Sequence, residues 1–567
     1  DIKVNTVPNL LFNIFDKVKK KGPNFIEQII DGDIARGFEN KDLRFRFPPE
    51  PNGHLHIGHL KAICLNFNLG EKYNSPVNLR FDDTNPEKEA KEYVDAIKND
   101  IKWLGFEWDK ECYASDYFDQ LYDWATSLIK KDLAYVDSQS SEEIAAQKGT
   151  PTKEGQASRF RTRDKEESLK LFKEMFEGHH DSGKHVLRAK INMSSPNMLM
   201  RDPVLYRVMN VHHHRTGGKW KVYPMYDWTH GESDYIEQVS HSLCTLEFEP
   251  HRELYDWFLD AISPLQGVRP KQREFSRLNL SYTITSKRKL AKLVEENIVE
   301  GWDDPRMPTI SGLRKRGYTP EALKNFALTV GVSKRENVIE ASLLEFCIRA
   351  HLNQVAPRAM AVIDPIKIKI INYVKDGGEK INFDINPQDK TLGTREINFS
   401  KEIYIEREDF QEEPEEGFFR LSIGEEVRLK NAYIIKAVDL VADEKGNIKE
   451  VLCEYDSKSK SGSNTPESNR KVKGTIHWVS ATDSVKAKIN IYDRLFKVSE
   501  PGKEKGFKNE INQNSLEIKE AFVEPYLAES IEAQQFQFQR VGYFVRTANK
   551  KTLEFNKTVG LRDSWKK

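Results

Sequence analysis

Two histidines three residues apart, His56 and His59, close the segment Pro49-Glu50-Pro51-Asn52-Gly53-His54-Leu55-His56-Ile57-Gly58-His59. The segment leads from an alternating stretch, Leu43–Phe47, through a proline-rich break into a helical apolar pattern, Ile57, Leu60, Ile63, Cys64 and Phe67. A helix starting there offers unpaired N–H groups and a positive dipole end, which suits phosphate. Gly58 lets a nucleotide approach the backbone closely. Two imidazoles one turn apart can donate hydrogen bonds to a phosphoryl transition state. A bare H-x-x-H is more often a pair of surface histidines. The strand–loop–helix setting favours the phosphate reading. A second cluster, Thr285-Ser286-Lys287-Arg288-Lys289, is of a kind that is usually solvated surface. Read as a phosphate loop, it uses Lys287 to neutralise charge on a triphosphate or pyrophosphate. His212-His213-His214 tempts a metal reading, but consecutive residues do not all point at one ion from regular structure.

The elements that must position these groups read as α/β and then all-β. Val77–Phe81 is a second strand, and Ala90, Tyr93, Val94, Ile97, Ile101 and Leu104 mark a second helix. Strand, loop, helix, strand, helix opens a doubly wound sheet, whose ligands sit beyond the carboxyl ends of the strands. Residues 1–40 read as a charged helical extension, 41–116 as the first half of the sheet domain and 117–222 as an insertion. The aromatic segment Tyr223–His230 reads as a return to the sheet, through 279, with Tyr226 in an apolar strand. Residues 280–355 read as a helical connector and 356–567 as β-barrels, from the Ile366/Ile368/Ile370 alternation and hairpins such as that turning at Glu444–Asn447. Ser457–Asn469 is expected to be a mobile low-complexity loop, and the acidic run Glu406–Glu416 a solvated one.

The chain of 567 residues suggests about four domains at ~150 residues each. Its 88 Lys+Arg balance 88 Asp+Glu, which excludes a uniformly basic coat protein but not local basic patches. A hydrophobic fraction of 38% and a mean hydropathy of −0.66 fit a soluble globular chain. No apolar run approaches the ~20 residues of a membrane span. The charge order of Val7–Phe15 followed by Lys17–Lys21 is the reverse of a signal peptide's. Cys64, Cys112, Cys244, Cys347 and Cys453 form no C-x-x-C pair, and such scattered cysteines suit a reducing compartment.

Taken together, His56-Ile57-Gly58-His59 and Thr285-Ser286-Lys287-Arg288 resemble the two signature motifs of class I aminoacyl-tRNA synthetases, with Thr285 where that family usually has Met. RFPPEPNGHLHIGH (Arg46–His59), LRFDDTNP (Leu79–Pro86), YPMYDWTHG (Tyr223–Gly231), HSLCTLEF (His241–Phe248), GWDDPRMPTISGLRKRGYTP (Gly301–Pro320) and VGLRDSWKK (Val559–Lys567) are similar, in order, to the glutaminyl-tRNA synthetase family. The resemblance implies a Rossmann-like catalytic domain with an acceptor-stem-binding insertion, a helical connective domain and two interleaved anticodon-binding barrels. It implies a two-step reaction: glutamine and ATP give glutaminyl-adenylate and pyrophosphate, then the terminal adenosine 2′-hydroxyl of glutamine tRNA takes the glutaminyl group.

By the same resemblance His56, His59 and Lys287 serve the phosphates, and Glu50 lies near the transfer site. ATP is met by Pro49, Asn52, Gly53, Gly58, Arg277, Ser286 and Lys287. The glutamine pocket uses Arg46, Asp82, Tyr226, His230, Gln272 and Cys244, with Asp82 suited to the substrate ammonium and Asp83 left as a turn cap. The anticodon falls to Asn353, Arg358, Arg420, Arg428, Lys430, Gln537 and Arg540, while Phe419 replaces a lysine of some relatives and offers stacking. Mg²⁺ enters with ATP on phosphates and water rather than in a protein cage. The implied protein is a cytoplasmic monomer without a membrane partner. The sister family, the glutamyl-tRNA synthetases, tends to carry an arginine where Cys244 stands, a neutral position that favours an amide over a carboxylate. A non-catalytic tRNA-binding paralogue would lack His56, His59 or Lys287, and all three are present.

Overall fold

A computed structural model describes residues 22–87, 89–375, 377–503 and 506–562. The Val7–Phe15 and Lys17–Lys21 readings and the last five residues of VGLRDSWKK lie outside these. The described chain forms two compact units, 22–280 with Ala327–Ile339, and Ser281–Phe326 with 340–562.

The first unit opens with helix α1 (Phe25–Ala35), started by an Asn24/Glu27 capping box. Three parallel strands follow: β1 (Phe45–Phe47), β2 (Val77–Phe81) and β3 (Glu111–Tyr113), in the order β1-β2-β3. Helix α2 (Ile57–Tyr73) connects β1 to β2 and α3 (Lys91–Trp103) connects β2 to β3. β2 is buried along its whole length, as expected of a strand covered on both faces.

The insertion contributes α4 (Phe118–Lys130), α5 (Lys165–Glu177) and a four-stranded antiparallel sheet. Its strands are β4 (Ala134–Asp137), β5 (Val186–Ala189), β6 (Val204–Val208) and β7 (Val222–Pro224). Phe172, Tyr206, Trp220 and Trp228 fill its core. The expected return to the parallel sheet at Tyr223–His230 is not what forms. Tyr223 ends the insertion's sheet, and Tyr226 opens helix α6 (Tyr226–Ile236) rather than lying in a strand. Pro224 lacks the N–H that a continuing ladder would need.

The parallel sheet resumes with β8 (His241–Thr245) and β9 (Lys271–Phe275), paired parallel to each other. β8 lies beside β1, for Ser240 N donates to Arg44 O at 3.0 Å. Arg44 faces Ser240 and Arg46 faces Ser242, both 196 residues on, so β1 and β8 run the same way. The order is therefore β3-β2-β1-β8-β9. The chain fills one side of β1 and then the other, which puts the switch point at the carboxyl ends of β1 and β8.

The second unit holds α7 (Lys287–Glu295) and two closed sheets. In one, Arg358–Ala359 pairs with Gln535–Phe538 at one edge and Ala361–Val362 pairs with Leu516–Val523 at the other. Only Met360 separates these edge strands, so the sheet curls round to meet itself. In the other, the edges are Thr475–Ile476 and Val479–Ser480, with only His477 and Trp478 between them. Both are barrels, and they interleave: the chain starts the first at 358–362, builds the second across 365–480, and returns for 485–560. In Pro365–Ile370 the alternate isoleucines are buried, as their spacing predicts.

Other expectations change. The 280–355 connector is divided: Val338–Ile339 pairs with Asn279–Leu280 in the first unit. Ser457–Asn469 is packed rather than loose. It ends in a helical turn, Pro466–Asn469, its Ser459 is fully buried, and Arg428 ties it down from the barrel wall. In the acidic run, Glu406 and Asp409 are buried; Glu406 accepts the Ile363 and Asp364 N–H groups at 2.8 and 2.9 Å.

Candidate active site

At the start of α2 the two motif histidines cap the helix reciprocally. His56 is the N-cap, in extended conformation, and its Nδ1 accepts the Gly58 N–H at 3.1 Å. His59 Nδ1 in turn accepts the His56 N–H at 3.1 Å, the capping-box pattern built from imidazoles. The rings lie 3.9 Å apart between centroids. An Nδ1 that accepts leaves the proton of a neutral imidazole on Nε2, so each ring is set as an Nε2–H donor. The cap therefore engages the Gly58 N–H, one of the helix-start donors expected to be open to phosphate. The loop before it is pinned to the end of β2: Asp82 N donates to Pro49 O at 3.1 Å, and Asn52 Nδ2 donates to the exposed Glu50 carboxylate. Gly53 is buried in this loop.

Beyond the strand ends lie the residues expected to form the amino-acid pocket. Asp82 is buried, its Oδ1 has no hydrogen-bond partner, and burial, reinforced by the nearby Glu50 charge, pushes its pKa up to about 7. Such a carboxyl suits a substrate ammonium. Asp83 is structural: it accepts the Ser115 N–H at 2.8 Å and the Ser115 hydroxyl at 2.6 Å. It caps that distant turn rather than the Asn85-Pro86 turn. Tyr226 and His230 stack at 5.0 Å, and His230 Nε2 lies 3.5 Å from Cys244 Sγ. Burial holds His230 down to about 3 and raises the Cys244 thiol, so both are neutral at pH 7. Gln272 donates through Nε2 to Phe248 O and Glu274, leaving Oε1 buried without a partner.

Arg46 is spent on the protein rather than turned to substrate. Fully buried, it donates to Asp234 at 3.0 Å, Leu243 O at 2.9 Å and Ser242 Oγ at 2.6 Å. Asp234 also pairs with Arg80 at 2.8 Å, and Arg80 reaches Glu237 at 3.3 Å. Burial works against Asp234 as an anion, but its two arginines overcome it and hold the carboxyl far below its usual range. The charges under the pocket therefore close among themselves, two positive against two negative. Sequence reasoning missed Arg80, Asp234, Ser242 and Tyr255, whose hydroxyl donates to Asp234 at 3.0 Å. Asp234 was legible as the next i+4 step after Tyr226 and His230, and Arg80 as a charge inside an apolar strand. Arg277 lies outside this set, half-exposed and 3.6 Å from Glu247.

The histidine run folds into the same unit. Asp83, His213 and His214 bring candidate ligand atoms within 4.8 Å of one another. His213 is already engaged, its Nε2 donating to Asp83 O at 2.8 Å and its Nδ1 accepting the Arg215 and Thr216 N–H groups.

In the second unit Ser286 is the N-cap of α7 and Lys287 its first residue. Thr285 is half-buried, and the neighbouring Ile284 anchors the loop among Leu290, Leu293, Met307 and Phe507. On the barrels, Arg358 donates to Ala356 O and Asn353 O, both at 2.6 Å. Tyr543, unforeseen from sequence, joins this group: its hydroxyl accepts from Gln537 Nε2 at 2.8 Å and lies 3.4 Å from Asn353 Oδ1. Arg540 grips the buried Asp409 at 2.6 and 2.8 Å, and Arg420 shares it at 3.2 Å. Lys430 is half-buried, its pKa lowered first by burial and then by Arg540, Arg358 and Arg395. Phe419 is 66% exposed, as a stacking platform requires. Arg428 departs from its expected anticodon role: its guanidinium is bonded to Ser468 O at 2.6 Å and to the loop around Ser459.

A switch-point pocket, a strand–loop–helix start with paired imidazoles and a basic helix start are the parts of a class I tRNA synthetase. The chain belongs to that family. The class I (E and Q) tRNA synthetase catalytic-domain model matches residues 42–354, and the family's two anti-codon binding domain models match 356–456 and 475–547. Within the family it is similar to glutamine–tRNA ligases. It is 54% identical to the one from Vibrio vulnificus over 548 residues, covering 96% of this chain and 98% of that protein. It is 53% identical to the one from Proteus mirabilis over 549 residues, with the same coverage. Among solved structures, a glutamate tRNA ligase from Elizabethkingia meningosepticum gives a TM-score of 0.42 at 18% identity, covering 56% of this chain and 70% of that one. The five cysteines are buried and none is in a disulfide, and no described helix is long and apolar enough to cross a membrane.

Proposed function

We propose that this protein joins L-glutamine to the 3′ end of glutamine tRNA at the expense of ATP. The glutamine carboxylate attacks the α-phosphorus, the bond to the β-phosphate bridging oxygen breaks, and pyrophosphate leaves. The 2′-hydroxyl of the terminal adenosine then attacks the adenylate carbonyl, loses its proton, and AMP leaves. Neither step needs a strong base; both need alignment and charge stabilisation.

The observation that carries the choice of glutamine is the neutrality of the pocket. His230, Cys244 and Tyr226 are uncharged at pH 7, and Arg46 and Arg80 are closed by Asp234 and Glu237. A side-chain carboxylate would enter with no unpaired cation to meet it, whereas an amide needs only donors and acceptors. Asp82 takes the ammonium and the Gln272 carbonyl supplies an acceptor. His56 and His59 donate to the phosphates through Nε2, and Glu50 serves at the transfer site. Arg277, with Pro49, Asn52, Gly53 and Gly58 of the loop, meets ATP. Ser286 and Lys287 are assigned to the phosphates by motif, and Mg²⁺ arrives on ATP. Asn353, Gln537, Arg420, Arg540 and Lys430 face the anticodon. The enzyme works as a cytoplasmic monomer.

The test is ATP–pyrophosphate exchange with glutamine or glutamate, each with and without glutamine tRNA. Exchange with glutamine and tRNA together is the expected result. Exchange with glutamate would assign the chain to the sister activity, and silence with tRNA still bound would make it a binding protein.

A further inference from the structure

One buried charge on α2 has no paired carboxylate among the described residues. Lys61 is 4% exposed and sits on the apolar face of the helix with Ile57, Leu60 and Cys64. Its Nζ donates to Ser276 Oγ at 2.9 Å and lies 5.9 Å from the Phe275 ring. An ammonium has three donors, and among the described residues no carboxylate is paired with this one within 4.0 Å. The charged groups on the strands packed around it turn elsewhere. Arg46 of β1 bonds Asp234, His241 of β8 bonds Asp33, and Arg273 of β9 donates to Gln272 O. Arg277, just past β9, pairs with Glu247. A buried cation without a counter-charge costs stability, and burial alone brings this lysine down to about 8.

The place of this residue gives the charge a purpose. Lys61 lies on the helix that His56 and His59 start, about 7.5 Å along its axis from the N-cap. Its partner Ser276 is the residue before Arg277 and is held on its other side by its N–H to Ser333 O at 2.7 Å.

We propose that Lys61 is a positioning residue for ATP: through Ser276 it sets the turn that carries Arg277, and the nucleotide phosphates supply the counter-charge that the protein withholds. This rests on the ATP-dependent activity proposed above.

The experiment measures pyrophosphate exchange with glutamine and tRNA for the full chain and for Lys61→Met, Lys61→Arg and Ser276→Ala, from about pH 6.5 to 9.5. The unaltered chain is expected to lose ATP affinity as pH rises through about 8, because Lys61 is charged below that value and neutral above it. Lys61→Met raises KM for ATP about tenfold at pH 7, changes kcat less, and shows no such step. Lys61→Arg keeps KM near the original and also loses the step, since its guanidinium stays charged. Ser276→Ala raises KM for ATP about threefold and keeps the step. Thermal denaturation of Lys61→Met gives an unchanged or higher Tm, because a buried unpaired charge has gone. An unchanged KM and pH step in Lys61→Met would overturn the proposal, as would a fall in its Tm parallel to its activity. An unaltered chain that exchanges no pyrophosphate would instead overturn the activity itself, before any variant is compared.

Discussion

The pocket and the barrel surface use the same device to different ends. In each, one fully buried aspartate holds two arginines: Asp234 holds Arg46 and Arg80, and Asp409 holds Arg420 and Arg540. The arginines of the pocket are sealed, with 0% and 3% of their side chains exposed. Those of the barrel keep 37% and 28% in solvent. Sealed, the clamp yields a wall that is rich in charge yet neutral toward the ligand. Open, it fixes the orientation of two guanidiniums whose outer edges can still stack on or hydrogen-bond an unpaired base. Burial of the arginine, not the pairing itself, decides whether the charge is hidden or presented.

The sharpest way to break this comparison is to remove both aspartates in turn. Asp234→Asn leaves the buried Arg46 without a carboxylate and Arg80 with Glu237 alone, and is expected to cost about 3–5 kcal/mol of stability, with loss of glutamine activation. Asp409→Asn leaves arginines that water can still reach, and about 1–2 kcal/mol is expected. Denaturant unfolding of the two variants measures the difference. Equal losses would mean that exposure does not separate the two clamps.

Both clamps show what the sequence could and could not carry. β2 and α2 follow from period alone, because apolar spacing decides which face is buried. The phosphate motif was legible in type but not in arrangement. His56 reads as a helix-face residue, and its extended backbone and its bond to Gly58 N make it the cap instead. The aromatic run at Tyr223–Trp228 suits either a strand or a helix, and only the change of partner after Pro224 resolves it. Composition made Glu406–Glu416 look solvated because the arginine that grips Asp409 with two bonds, Arg540, lies 131 residues away. Pairings of that range leave no local mark. Lys61, by contrast, was readable as a lysine in phase with an apolar face.

The comparison is sharpened on the barrel by removing the arginines and keeping the aspartate. Arg420→Ala and Arg540→Ala are each expected to raise KM for tRNA about tenfold, with KM for glutamine within about twofold of the original. The dependence of KM for tRNA on salt should also flatten, since an exposed cation that meets RNA displaces counterions. A change in KM for glutamine of the same size would show that the barrel clamp acts through stability alone.

The smallest effect separates charge from orientation. Arg540→Lys keeps the positive charge beside Asp409 but loses the two-pronged grip at 2.6 and 2.8 Å. If Asp409 serves only to neutralise, KM for tRNA stays within error. If it aims the guanidinium, as the two parallel bonds imply, KM for tRNA rises about threefold while the salt dependence is unchanged, because lysine restores the charge but not the planar fork. Steady-state aminoacylation at two salt concentrations distinguishes these outcomes. The second is expected, because a point charge can be satisfied from any direction, whereas a guanidinium held on one edge has only the other to offer.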